Sequence, residues 1–233
     1  MDMSFPGRST STIGQAAHQR KENSVSLGRF ITVEGGEGAG KTTQIEFMRD
    51  SLQRCGLPVM LTREPGGTAL GEEIRDLLLG HRYKEMAPAT ETLLLFAARA
   101  EHLEQVIRPA LTSGYWVLCD RFTDASYAYQ CGGRGLALEQ IAILDNWVEG
   151  DLRPDFTLLF DVSVEIGLAR VARRSTADRF EREEKVFFER VRAAYLERAR
   201  QHPDRYRRVD AARPIEWVRA EVELILAERL ERD

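Results

Sequence analysis

Gly35-Gly36-Glu37-Gly38-Ala39-Gly40-Lys41-Thr42 is a full match to the pattern G-x-x-x-x-G-K-[ST]. Glycines at that spacing let the chain fold tightly enough for successive backbone N–H groups to face phosphate oxygens. A lysine there can reach the β- and γ-phosphates, and the following hydroxyl can join the shell of a Mg²⁺ ion. The segment follows an apolar run and opens a helical pattern, the context such a phosphate loop needs. It predicts nucleoside triphosphate binding through Gly35 to Thr43, with Lys41 as the working cation and Thr42 toward the metal. No N-K-x-D base-reading motif and no L-S-G-G-Q-like signature accompanies it. A guanine-nucleotide switch and a transporter-type ATPase are therefore disfavoured, and a kinase with a small acceptor remains.

A second set of polar residues closes the apolar runs: Thr62-Arg63-Glu64-Pro65-Gly66-Gly67, Asp120-Arg121-Phe122 and Asp161. Ligands of open α/β sheets bind at the carboxyl ends of strands, so these residues are candidates for one site. A phosphate monoester has a second pKa near 6, so a nucleotide acceptor is already a dianionic nucleophile at neutral pH. Such a site needs no strong base; it needs groups that hold two repelling phosphates in line and neutralise them. Arg121 suits the acceptor phosphate, and Asp120 suits Mg²⁺-bound water or charge balance.

The elements that must position these residues alternate. Strands are expected at Phe30–Glu34, Val59–Arg63, Trp116–Asp120, Phe156–Asp161 and Arg207–Asp210, as short apolar runs covered on both faces. Helical patterns lie near 41–54, 69–79, 90–111, 136–149, 164–174, 182–200 and 214–230. This alternation predicts an α/β fold, a five-stranded parallel sheet flanked by helices. Residues 1–28, polar and without periodicity, read as a disordered extension; 29–233 reads as a single domain.

Composition limits the alternatives. The 233 residues carry 33 Lys+Arg against 37 Asp+Glu, a formal net charge of −4, which gives no support for broad nucleic-acid or membrane-surface binding. No apolar window reaches the length of a membrane span. Three scattered cysteines exclude a full disulfide framework and suit a reducing, cytoplasmic setting.

Two further segments complete a pattern: Leu93–Arg99 (LLLFAAR) and Asp124–Gly135 (DASYAYQCGGRG). With the phosphate loop, T-R-E-P-G-G and D-R-F in this order, the chain from Arg29 onward closely resembles bacterial thymidylate kinases. The resemblance implies a P-loop kinase fold with a small helical lid (about 170–182), a homodimer, and ATP- and Mg²⁺-dependent phosphorylation of dTMP to dTDP. It assigns Arg75 to the dTMP phosphate, Arg99, Ser126 and Gln130 to the thymine pocket, Tyr129 to the deoxyribose, and Glu64 to a site acid near the acceptor. The family often stacks an aromatic on thymine at the position of Leu95; here Phe96 follows one residue later, and either side chain is a candidate. The phosphate loop has Glu37-Gly38-Ala39 and no arginine, so the lid arginines Arg173, Arg174 and Arg179 are candidates for the transferring phosphoryl group, Arg179 first. Arg179 could instead anchor the lid by pairing with a carboxylate. A UMP/CMP- or AMP-type kinase and a P-loop regulatory ATPase remain as alternatives to the dTMP reading.

Overall fold

A computed structural model describes residues 28–80, 82–83, 85–173, 179–181 and 183–231. In chain order, β1 (Phe30–Glu34) leads through the phosphate loop into α1 (Lys41–Arg54), followed by β2 (Val59–Arg63) and α2 (Ala69–Leu79). Next, α3 (Pro88–His102) runs on through a π-helical turn (Leu103–Ile107) into α4 (Arg108–Thr112), then β3 (Trp116–Asp120). After it, α5 (Thr123–Ser126) continues as a π-helical stretch (Tyr127–Gly133) and gives way to α6 (Leu138–Glu149) and β4 (Phe156–Asp161). The chain closes with α7 (Val164–Val171), α8 (Lys185–Gln201), β5 (Tyr206–Asp210) and α9 (Ile215–Glu231).

The strands form one parallel sheet in the order β2-β3-β1-β4-β5. Every residue of β1, at the centre, is buried. Ile31 and Val33 pack with Leu158, Phe160, Met48, Leu52, Val222 and Leu226, so α1 and α9 cover that face. Phe30 faces the other way, with Val117, Cys119, Leu103 and Ile107 beneath α3 and α4. β2 departs from the expectation of two covered faces: it is an edge strand, and its residues are only half-buried or exposed. β5 begins one residue earlier than expected, at Tyr206.

Two boundaries differ from the sequence reading. Gly28 belongs to the fold, donating its N–H to the Leu111 carbonyl at 3.1 Å; the rest of the expected extension lies outside the described residues. Thr123–Gly133, read only as a motif, is helical. Gly132 and Gly133 allow it to press on α8: a Cβ on Gly133 would meet Phe187 at 2.5 Å. The chain leaving β1 proceeds to β2 on one side of the sheet, and the chain leaving β3 proceeds to β4 on the other. That reversal opens a crevice at the carboxyl ends of β1 and β3.

Candidate active site

The crevice is a cavity of about 250 Å³ bordered on one side by the phosphate loop, from Glu37 to Thr42. The loop can wrap because Gly38 and Gly40 adopt left-handed φ values of 67° and 83°. At Gly38 nothing larger fits, since a Cβ would stand 2.2 Å from the Gly167 carbonyl oxygen. Gly40 precedes α1 without a side-chain cap, so the first N–H groups of that helix have no competing side chain there. Lys41 folds back over the loop, its Nζ donating to the Gly35 and Gly36 carbonyls at 3.1 Å each. Burial, reinforced by the nearby Arg121 charge, lowers its pKa, and an incoming polyphosphate would offset both. Arg170 of α7 braces the loop from behind by donating to the Gly38 carbonyl.

Across the cavity stand Asp120 and Arg121, at the end of β3. Arg121 has a φ of 68°, a left-handed conformation that costs energy for a residue with a Cβ. The turn aims its guanidinium at the phosphate loop, where Nη2 donates to Glu37 Oε1 at 2.6 Å and Nη1 to the Tyr195 hydroxyl at 3.3 Å. The Tyr129 hydroxyl also donates to Glu37 Oε1, at 2.6 Å, and the Tyr129 ring lies 4.8 Å under the Arg121 guanidinium. Beneath them, burial and the Asp124 charge push the Glu34 carboxyl up to about 8, while it accepts from Tyr195 and the Phe122 N–H. Asp120 Oδ1 is buried and has no hydrogen-bond partner among the described residues. Thr42, exposed at the start of α1, lines the same cavity.

The far end is built from side chains rather than loop backbone. Arg99 is 2% exposed and sits between two buried carboxylates. Its Nε donates to Glu64 at 2.7 Å, its Nη2 to Ser126 at 3.0 Å, and its Nη1 reaches Glu149 at 3.5 Å. One guanidinium cannot balance both acids. Glu64 takes the short contact, and burial, against the pull of Arg99, pushes the Glu149 carboxyl up to about 9. His102 supports Glu64 from behind and shares a second contact with Thr62 at 2.5 Å. Arg75, which lines the wall, donates to the Pro65 carbonyl beyond the cis Glu64–Pro65 peptide.

Of the residues expected from the sequence, Glu37–Thr42, Glu64, Arg75, Leu95, Arg99, Asp120, Arg121, Ser126, Tyr129 and Gln130 line this one cavity. Gly35, Gly36 and Thr43 flank the loop without lining it. Leu95 faces the cavity, whereas Phe96 is 2% exposed and packs in the core with Tyr127 and Ile141. Residues one apart on a helix do not share a face, which separates the two. Arg179 does not line the cavity: Nη2 pairs with Glu91 at 2.5 Å and Nε donates to the Leu78 carbonyl. Arg173 is exposed, and Arg174 lies outside the described residues. Phe180 and Glu181, not singled out from sequence, line the cavity instead. Glu91, also missed, falls at i, i+4 and i+8 with Leu95 and Arg99; an acid and an arginine on one face of an apolar helix was the available signal.

Comparison with known proteins identifies the family. The thymidylate kinase family model matches residues 33–222. Thymidylate kinase of Pseudomonas entomophila (strain L48) is 58% identical over 205 residues, covering 88% of this chain and 98% of the relative. That of Alkalilimnicola ehrlichii is 59% identical over 209 residues, covering 89% and 96%. The crystal structure of thymidylate kinase from Ehrlichia chaffeensis superposes with a TM-score of 0.69 at 34% identity, over 85% of this chain and 98% of that one. Matched by that family model over most of its length and by these relatives, the chain belongs to the thymidylate kinase family.

Proposed function

We propose that this crevice transfers the γ-phosphoryl group of ATP to dTMP, giving dTDP, with the phosphate loop gripping the donor and Arg121 the acceptor. The observation that carries the reading is the strained Arg121, whose left-handed φ turns a guanidinium from the end of β3 onto the mouth of the loop. A guanidinium has five N–H donors. Glu37 and Tyr195 take one N–H on each Nη, and the remaining donors on the cavity side are the ones assigned to phosphate oxygens. The dTMP phosphate is dianionic at neutral pH and attacks without a base. The protein's part is to hold the two nucleotides in line, exclude water and set positive charge where the transferring group becomes electron-rich.

Lys41 and the loop N–H groups face the donor phosphates. Arg75 and Arg121 serve the acceptor phosphate, Tyr129 the sugar, and Leu95, Arg99, Ser126 and Gln130 the thymine, with Glu64 fixing Arg99. Phe96 supports Arg99 from the core, its ring 4.5 Å from the guanidinium carbon. The residues also fit Mg²⁺, which takes few protein ligands and keeps phosphate oxygens and waters. Asp120 supplies a buried, unpartnered oxygen and Thr42 an exposed hydroxyl at the same cavity. When bound, the ion supplies charge neutralisation to the donor phosphates.

The proposal includes a cytoplasmic homodimer acting on free nucleotides and not on nucleic acid, with the chain from Gly28 onward as one catalytic domain. Leu93 of α3 and Leu138, Ile143 and Trp147 of α6 support pairing of two copies; these apolar side chains are exposed on helices that pack side by side, Trp147 at 80%. Among the described residues no helix is long and apolar enough to cross a membrane. The test is ADP release in a coupled assay with dTMP, dUMP, UMP, CMP and AMP as acceptors. Turnover should depend on an acceptor and be greatest with dTMP. ATP hydrolysis indifferent to all five would point to a regulatory ATPase, and preference for UMP, CMP or AMP to another acceptor.

A further inference from the structure

Glu91, in the first turn of α3, is fully buried and has no role in the reaction as described. Its carboxylate is nevertheless the hub of a web that joins three parts of the chain. Oε1 accepts from Gln130 Nε2 at 2.9 Å and from Arg134 Nε at 3.2 Å. Oε2 accepts from Arg134 Nη2 at 3.2 Å and from Arg179 Nη2 at 2.5 Å. Arg134 reaches on to Glu183 at 2.6 Å, so Glu91 ties a cavity residue to both ends of the described lid base.

The arrangement restricts Gln130. Both oxygens of Glu91 accept from guanidinium N–H groups, so the Gln130 side-chain amide turns its NH₂ toward Glu91. A flipped amide would set its oxygen against that carboxylate. The cavity then receives the amide oxygen, an acceptor. Position 3 of thymine carries N–H, whereas the same position in cytosine is a bare acceptor nitrogen. We infer that Glu91 is a positioning residue for acceptor selectivity: it locks the Gln130 amide so that the cavity accepts a pyrimidine with N–H at position 3. The inference rests on the placement of Gln130 against the base in the reading above, and adds the residue that sets its orientation.

The experiment compares kcat/KM for dTMP and dCMP in the wild-type enzyme, Glu91→Gln, Gln130→Ala and the double variant, with Tm measured for each. A glutamine at 91 can donate as well as accept, so the amide of Gln130 is released. The dTMP:dCMP ratio should fall by about tenfold or more in Glu91→Gln, because a site that pairs a base N–H discriminates only while its acceptor is fixed. In the Gln130→Ala background Glu91→Gln should change the ratio no further, since the two act as one unit. A ratio unchanged in Glu91→Gln, or lowered by the same factor with and without Gln130, overturns the inference. If Gln130→Ala alone leaves dTMP use and the ratio intact, the placement of Gln130 at the base is what fails. Wild-type enzyme with N3-methyl-dTMP gives a test independent of the variants' folding: poor use is expected, and use equal to dTMP overturns the acceptor orientation.

Discussion

The two ends of the cavity are built on different principles. The end proposed for the phosphates is largely backbone: a glycine loop, an uncapped helix start and one buried lysine that bonds the loop's own carbonyls. The end proposed for the base is largely side chain: Arg99 held by Glu64 and Ser126, and Gln130 held by Glu91, from segments far apart in the chain. Phosphates are alike in every nucleotide, so a local loop suffices to bind them. A base must be told from other bases, which needs individual donors and acceptors fixed by long-range packing. The difference implies that changes at the phosphate end should strike turnover, and changes at the base end should strike acceptor recognition and stability.

The sharpest break comes from Lys41→Ala. It removes the cation proposed for the donor phosphates while Ile45, Met48 and Leu52 keep α1 in the core. We expect kcat to fall by about 10²–10³-fold or more, the scale for losing one preorganised donor to developing charge. Circular dichroism should remain that of the folded protein, and near-normal turnover in the folded variant would contradict the division.

Arg179→Ala tests the lid base rather than either end of the cavity. Because Arg179 is held by Glu91 and the Leu78 carbonyl, it anchors the lid base in this conformation. KM for ATP should rise about tenfold with kcat changed less, the pattern of lost binding rather than lost transition-state contact. If kcat and kcat/KM instead fall together by about 10²-fold or more, Arg179 reaches the transferring group after lid closure. The same measurement on Arg173→Ala and Arg174→Ala locates any other lid arginine with that role.

A smaller effect concerns pH. The Glu149 carboxyl is pushed up to about 9 in the folded chain, mainly by burial, whereas an unfolded one titrates near 4.5. Between those values the unfolded chain has released this proton and the folded chain has not, so the group's contribution to stability declines as pH rises. Glu149→Gln removes that decline. Its Tm relative to wild type should therefore climb from pH 5 to pH 8.5; a difference flat across that range, or of opposite slope, would show Glu149 ionised in place. The smallest effect is expected from removing residues 1–27, which should leave kcat and Tm unchanged; a large drop in either would give that segment a part in the fold or the site.

The same contrast explains what could be read from the sequence. Lys41 and its glycines stand in eight consecutive residues, because the loop's chemistry is local. The strands were legible as apolar runs, and Asp120-Arg121 by falling at the end of one. Leu95 and Phe96 could not be separated without knowing which face of α3 meets the cavity. The helix over Thr123–Gly133 was not visible either, because partners distant in sequence hold its polar residues: Asp124 by Arg198 and Arg205, Gln130 by Glu91. Arg179 carried the same ambiguity, since an arginine in a lid pattern does not reveal that a buried acid on α3 awaits it.

The most direct measurement is of ATP and dTMP binding, each alone by titration calorimetry, to wild-type enzyme and Arg121→Ala, alongside kcat/KM for dTMP. If Arg121 grips the acceptor opposite the loop, dTMP affinity should weaken by about tenfold or more and kcat/KM for dTMP by about 10²–10³-fold. ATP affinity should stay within about threefold, a change of less than ~1 kcal/mol. Loss of ATP affinity with dTMP binding intact would put Arg121 on the donor and contradict the account.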